Sequence, residues 1–514
     1  MTRLARCRSV ALIGVRGTVV DIEVHIGGMP GFSLIGLPDA SLYESRDRVR
    51  AAVLSSRESW PLQRITVSLS PAALPKRGSH FDLGVAVAIL AAADEVPLDA
   101  VDGVLFLGEL ALDGRLRPVL GVLPAVLAAE RAGLGRAVVP EANVAEARLI
   151  PGVRVFGARS LRQVLAFLRG TEIPPEAPDE LEEASGSSGT TPVDDTADLA
   201  DVAGQKEPKR AVEIAAAGHH HLLLTGSPGS GKTMLARRLP SLLPDLSLDE
   251  SLEVTSIHSI AGVLPPGRPL IVRPPFADPH HTSSVVSIVG GGSRVPRPGA
   301  ASLAHRGVLF LDEAPEFPPR VLDSLRQPLE SGSLTLARAE ATSVFPARFL
   351  LVLAQNPCPC GNFGSTVHAC TCRPDAVRRY GQRLSGPVRD RVDIQMKVDA
   401  PTMAELDAAA DGVEPSKAVA DRVAEARARQ ERRLRGTPWR CNGELPGPYL
   451  RRELKLPADV TAPAFADVRA GRLTLRGVDR VLRVAWTIAD LAGRDRPTVA
   501  DVKKALELRR GEAA

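Results

Sequence analysis

The sequence predicts an α/β protein of several domains that ends in a helical region. Three observations carry that prediction. The chain has 514 residues, too many for one hydrophobic core, so about two to four domains are expected. Strand-like apolar runs alternate with helix-like ones on both sides of an acidic stretch, Thr171–Ala203, that is also rich in Pro, Ser, Gly and Thr. From Met403 onward the pattern becomes helical, with the arginine-rich segment RVAEARARQERRLRG and a final amphipathic run.

In the first region, runs such as VALIGVRGTVVDIEVHI, RITVSLS and GVLFLGEL read as strands, and LYESRDRVRAAVLSS, FDLGVAVAILAAA and LPAVLAAERAG as helices. The acidic stretch has too little apolar surface to order itself and reads as a flexible linker. The expected domains are therefore 1–170, a linker over 171–203, a second α/β unit over 204–400 and a helical unit over 401–514.

Bulk composition narrows the class. Hydrophobic content of 44% with 24% charge suits a soluble globular chain, and 4% aromatics means that the cores rely on aliphatic residues. The longest uncharged apolar run, Leu83–Ala93, falls short of a membrane span, and the N-terminus has no stretch long enough for a signal sequence. The expected location is cytoplasmic, with no membrane partner. In a reducing compartment six cysteines argue against disulfides. The linker carries ten acids and no Lys or Arg, so removing that −10 from the net +4 leaves +14 on the rest. Such a remainder is compatible with a polyanionic partner, and equally with scattered solvated arginines.

The second region carries the chemistry. HLLLTGSPGSGKTMLARRL is an apolar strand, a glycine-rich loop and the opening of a helix. The loop Gly226-Ser227-Pro228-Gly229-Ser230-Gly231-Lys232-Thr233 fits the P-loop pattern, in which backbone N–H groups and a helix N-terminus wrap a phosphate. Lys232 would neutralise the outer phosphates of ATP, and the Thr233 hydroxyl would ligate Mg²⁺. Further on, RGVLFLDEAPEF delivers Asp312 and Glu313 to the C-terminal end of a buried strand, where ligands sit in open α/β sheets. Asp312 would hold Mg²⁺ through water, and Glu313 would polarise the attacking water.

The next strand, ARFLLVLAQN, ends in Asn356, whose amide could orient that water and sense the γ-phosphate. In RLSGPVRDRVDIQ, Arg391 suits an arginine finger acting on a neighbouring subunit of a ring, with Arg389 its local competitor. In RLTLRGVDRVLRVAWTIADLAG one of Arg476, Arg480 and Arg483 should reach the phosphates from a helical lid, and Arg476 is favoured.

Behind Asn356, Cys358, Cys360, Cys370 and Cys372 form C-x-C-x₉-C-x-C. Four thiolates on two short arms suit a structural tetrahedral Zn²⁺, with His368 able to replace one ligand. Each pair encloses only one residue, tighter than the usual two to four, so free thiols in a tight loop or a regulatory disulfide remain alternatives.

The stretches PHHTSSVVSIVGGGSRVPRPGAASLAHRGVLFLDEAPEF, LRQPLESGSLTLARA, NPCPCGNFG and LSGPVRDRVD resemble the Mg-chelatase-like AAA+ ATPases of the YifB/ComM type over nearly the whole chain. The resemblance implies an AAA+ P-loop core with a C-terminal helical lid, assembled with ATP into a homo-oligomer, a hexameric ring. It further implies DNA branch migration, as a helicase acting in recombination or natural transformation on single-stranded or branched DNA. A magnesium-chelatase motor subunit and an ATP-driven protein remodeller are the competing readings. Arg294, Arg297, Arg306 and RARQERRLRG would supply basic pore contacts to DNA phosphates, or else bridges between subunits. Family departures are Arg389, usually Leu, and Trp486.

The first region is similar to the Lon-protease C-terminal domain, of the ribosomal protein S5 domain 2-like fold, through GMPGFSLIGLPD, VSLSPAALPKRGSHFDLGVAVAIL and FLGELALDGRLRPVLGVLPAV. A Lon-type peptidase needs a serine nucleophile and a lysine base. The serine position falls on His80, one after Ser79, and the lysine position on Pro124. Lys76 lies in the wrong segment, so an inactive scaffold is expected.

Overall fold

Two sheets organise the chain in this computed structural model, which describes residues 3–177, 197–265, 267–292, 296–337, 342–364, 368–403, 405 and 413–512. Most of the acidic stretch and Arg294 lie outside the described residues.

The first sheet has seven strands, ordered Gly31–Ile35, Arg64–Ser70, Arg16–Ile26, Arg3–Ile13, Val104–Phe106, Arg136–Pro140 and Arg154–Ala158. Its spine is the antiparallel hairpin of Arg3–Ile13 and Arg16–Ile26, in which Val20, Ile22, Val24 and Ile26 alternate inward. The helix Asp82–Ala92 is buried along its whole length, which is why its sequence is apolar on every face. It approaches the sheet so closely that a Cβ on Gly84 would meet Ile22 Cδ1 at 2.6 Å.

The second sheet has five parallel strands, ordered Phe276–Ala277, Val308–Leu311, Leu350–Gln355, Leu222–Thr225 and Ile394–Lys397. Parallel strands covered on both faces must be apolar throughout, and Val308–Leu311 and Leu350–Gln355 are buried at every position. Leu311 pairs with Leu353 and Thr225 with Gln355, so Asp312, Asn356 and the glycine-rich loop all leave one edge of the sheet side by side.

The helices Ser416–Arg433, Leu475–Leu491 and Val499–Arg510 share one apolar cluster with that sheet, where Val423, Val484 and Val502 join Leu222 and Val352. The helical region is thus welded to the back of the core.

The described ends of the acidic stretch are held in place. Ser160 Oγ donates to Glu176 Oε1 at 2.5 Å, Arg238 Nη2 meets Asp201 Oδ2 at 2.7 Å, and the Ser416 N–H donates to Asp198 Oδ1 at 2.8 Å. These acids serve as local hydrogen-bond acceptors, which composition does not reveal.

The two sheet units touch through the helix Leu248–Ala261. Leu252 packs among Val122, Val126 and Ala129, and Ser259 Oγ donates to Glu146, whose carboxylate also accepts from the Leu123 N–H at 2.7 Å. No helix among the described residues is long and apolar enough to cross a membrane.

Candidate functional site

The strand Leu222–Thr225 runs into the glycine-rich loop, and the helix Lys232–Leu242 leaves it. Gly229 and Gly231 have φ of 76° and 94°, the left-handed region that suits glycine. A Cβ on Gly226 would run into the Val398 carbonyl. The loop therefore follows a path that side chains would block. Inside it, the buried hydroxyl of Ser230 has no hydrogen-bond partner.

Lys232 Nζ donates to the carbonyls of Gly226 at 2.8 Å and Ser227 at 2.9 Å, and to Asn356 Oδ1 at 3.3 Å. Burial pulls its pKa below the usual lysine value, and the nearby Asp312 and Glu313 oppose that shift. Thr233 Oγ1 donates to Asp312 Oδ2 at 2.7 Å, and the Glu313 N–H donates to Asp312 Oδ1 at 2.9 Å. A hydroxyl and a carboxylate meeting this way form the hard oxygen set that Mg²⁺ takes alongside a nucleotide. Glu313 adopts φ 50° and ψ 44°, and its side chain is exposed. The residues present fit ATP and Mg²⁺: a cradle closed to side chains, an unpaired buried hydroxyl and an oxygen donor pair.

Two residues of this cluster were missed in the sequence. Gln205 Nε2 donates to the Ser230 carbonyl at 2.6 Å and to the Asp399 carbonyl at 3.3 Å, fastening the loop from below. His281 Nδ1 lies 3.4 Å from Glu313 Oε2. The available signals were the Gly204-Gln205 pair before a helix and the His280-His281 pair ahead of the acids. Neither has a spacing that marks chemistry.

The cysteine loop begins two residues beyond Asn356 and returns to the P-loop, where a Cβ on Gly361 would strike the Pro228 ring. The four cysteines are free thiols whose sulfurs all lie within 4.8 Å of one another, and His368 is not among them.

Arg391 and Arg476 stand elsewhere. They line one cavity of about 570 Å³ with Glu330, Asp479, Arg480 and Arg483. His221 and Phe349, which precede the strands Leu222–Thr225 and Leu350–Gln355, also line it, so it lies at the sheet edge opposite the P-loop. Arg391 pairs with Glu330, and its Nη1 donates to the Pro387 carbonyl at 2.7 Å. Arg389 does not line this cavity. Arg476, the arginine favoured to reach the phosphates from the helical lid, is set at this far edge because the helix Leu475–Leu491 packs on Lys206–Gly218 and Val499–Arg510. Arg483 is part-buried, and its Nε has no hydrogen-bond partner.

The basic residues expected to face DNA are mostly tied within the chain. Arg306 pairs with Glu250 and Glu253, both at 3.4 Å. Arg427 donates to the Ala216 carbonyl at 2.7 Å, and Arg433 clamps Asp490 at 2.6 Å and lies 4.5 Å above the Trp486 ring. That stacking accounts for the tryptophan. Arg297, Arg432 and Arg435 are exposed.

In the first unit, Lys76 is fully buried and donates to the carbonyls of Gly36 and Pro71. Ser79 Oγ instead donates to Glu109, His80 Nε2 meets the Val10 carbonyl at 2.9 Å, and Pro124 lies inside the helix Val122–Arg131.

A five-stranded parallel sheet in this order, with a P-loop, an acid pair and a strand-end asparagine at one edge, defines an AAA+-type ATPase. Comparisons refine the class. The family description "Magnesium chelatase, subunit ChlI" matches residues 198–406, "Subunit ChlI of Mg-chelatase" matches 20–143, and "Magnesium chelatase, subunit ChlI C-terminal" matches 413–509. An uncharacterized protein of Mycobacterium tuberculosis is 51% identical over 507 residues, 98% of each chain. The competence protein ComM of Haemophilus influenzae is 42% identical over 493 residues, covering 95% of this chain and 94% of its own. The uncharacterized protein YifB of Escherichia coli is 40% identical over 502 residues, covering 97% and 96%. The chain belongs to the YifB/ComM-type Mg-chelatase-like family.

Proposed function

We propose that the chain is a ring-forming ATP-driven motor that remodels DNA, acting as a branch-migration helicase in the cytoplasm. One observation carries the ring: Lys232, Thr233, Asp312, Glu313 and Asn356 gather at one edge of the sheet, whereas Arg391 and Arg476 line a cavity at the other. Neither Arg391 nor Arg476 lies over the P-loop of its own chain, and a neighbour turned the same way around a closed ring would bring them there.

In this reading, bound ATP with Mg²⁺ supplies the phosphoryl group and the charge neutralisation of the transferred phosphate. Lys232 would leave the Gly226 and Ser227 carbonyls to hold phosphate oxygens, and Thr233 and Asp312 would hold Mg²⁺. Glu313 accepts the proton of the attacking water, which Asn356 orients. Arg391 and Arg476 of the preceding subunit stabilise the charge that develops. A hexamer is the assembly we favour.

DNA as the substrate rests on full-length similarity to a competence protein and on the exposed Arg297, Arg432 and Arg435. The first unit is read as a Lon-like scaffold without peptidase activity, because the Lys76 ammonium is engaged by carbonyls and Ser79 by a carboxylate. The test is stimulation of ATP hydrolysis by branched DNA, single-stranded DNA, a porphyrin-carrying partner or casein, at two salt concentrations. Branched DNA should stimulate most, and less as salt rises. Stimulation by the porphyrin partner or by casein alone would overturn the reading.

A further inference from the structure

We propose that Cys358, Cys360, Cys370 and Cys372 hold one structural Zn²⁺, and that this zinc loop buttresses the P-loop through the contact of Gly361 with Pro228. The first half stands on geometry. Tetrahedral zinc with Zn–S bonds of about 2.3 Å sets its sulfurs about 3.8 Å apart. The Cys358 and Cys360 sulfurs are 3.4 Å apart, and each lies 3.7 Å from that of Cys370. All four sulfurs fall within 4.8 Å of one another.

Among the described residues none of these four thiols belongs to an apolar cluster, so packing does not bring them together. Cys360, Cys370 and Cys372 are only part-buried, and the loop offers them no apolar core. The one-residue spacing inside each arm is accommodated by a turn. Gly361 takes φ 81° and its N–H donates to the Cys358 carbonyl at 3.0 Å, which swings the Cys360 sulfur back toward that of Cys358. The Phe363 N–H points at the Cys358 sulfur at 3.2 Å, the kind of outer contact that supports a metal-bound thiolate. Zinc is the ion that four sulfurs in tetrahedral array select in a redox-inactive site.

The second half follows from where the loop lies. Gly361 sits between Cys360 and the Pro228 ring, with no room for a Cβ, so it is packed directly against the crest of the P-loop. A loop cross-linked by metal is stiff, and a stiff neighbour lowers the ordering cost of the glycine-rich loop around phosphates. This half rests on the reading of residues 226–233 as a nucleotide site, whereas the first half does not.

The experiment measures zinc content and nucleotide affinity on the full chain. Purified protein should carry about one equivalent of zinc. Replacing it with Co²⁺ should give the visible absorption of a tetrahedral tetrathiolate. Stripping the metal with dipicolinate, or making Cys370→Ser with Cys372→Ser, should weaken binding of a fluorescent ATP analogue about ten-fold, and Zn²⁺ should restore the stripped wild type. Gly361→Ala should keep its zinc yet bind the analogue more weakly, and it serves if the cysteine variant does not fold. Zinc below about a tenth of an equivalent, or stripped protein that binds the analogue as tightly as before, would overturn the proposal. Failure of the nucleotide reading would look different: the zinc-loaded wild type would bind the analogue no better than Lys232→Ala.

Discussion

The guanidinium of Arg480 donates to the backbone carbonyl of Arg391 at 3.0 Å and to Asp393 Oδ1 at 2.8 Å, so the helix Leu475–Leu491 grips the segment that carries Arg391. Burial disfavours the Asp393 carboxylate, but Arg480 and His220 outweigh it and hold its pKa well below the usual carboxylate value. His220 Nε2 in turn meets Thr487 Oγ1 at 2.8 Å on the same helix. The helical region and the arginine segment are thereby linked by one buried polar network.

From this network, Arg480→Ala should lower kcat about 10- to 100-fold by letting Arg391 drift, while the chain's own affinity for ATP stays within about two-fold. Arg480→Lys should recover part of the loss. Steady-state hydrolysis and equilibrium binding check it together. A loss of affinity as large as the loss of kcat would make Arg480 merely structural.

Glu313→Gln should retain ATP and lose about 10² to 10³ in hydrolysis, because the amide cannot accept the proton of the attacking water. Single-turnover hydrolysis checks this, and turnover near wild type would remove Glu313 from that role.

Asp312→Asn should raise the Mg²⁺ concentration needed for half-maximal hydrolysis about ten-fold, since the hydroxyl of Thr233 would lose the carboxylate that shares the metal. A Mg²⁺ titration checks it. An unchanged midpoint would mean that the 2.7 Å contact is only a structural hydrogen bond.

Asp82 gives a pH prediction for the first unit. Burial pushes its carboxyl up to about 6, even though Arg48 Nε donates to it at 2.8 Å. The folded pKa lies above the ordinary value of 3.8, so the stabilisation from the protonated form is full below that value and is lost as pH rises through about 6. Hydrogen exchange of the helix Asp82–Ala92, corrected for intrinsic rates, should show opening become easier between about pH 4 and pH 6 and level off above that. Asp82→Asn should flatten that trend. An equal trend in both proteins would contradict it.

The candidate nucleotide cluster was legible in the sequence because each part is marked locally. Short apolar runs lead toward Gly226 and Asp312, and a longer one toward Asn356, so strand ends announce themselves. That these ends stand side by side follows from strand order, which no local pattern encodes. The edge on which Arg476 stands is hidden for the same reason: its helix is plain in the sequence, but where that helix packs is decided by contacts with Lys206–Gly218. Net charge suggested a polyanion surface that Arg306, Arg427 and Arg433 do not provide, because charge alone does not distinguish a solvated guanidinium from one paired inside the chain. Gln205 and His281 were invisible as single polar residues, recruited only by the fold.

Subunit mixing tests most directly whether neighbouring chains share hydrolysis. Lys232→Ala and Arg391→Ala should each be nearly inactive alone. Mixed in equal amounts under exchange, they should recover about a quarter of the wild-type rate, the fraction of interfaces that pair an intact P-loop with an intact arginine. A mixture no more active than its parts, or an Arg391→Ala protein that hydrolyses ATP normally by itself, would contradict it.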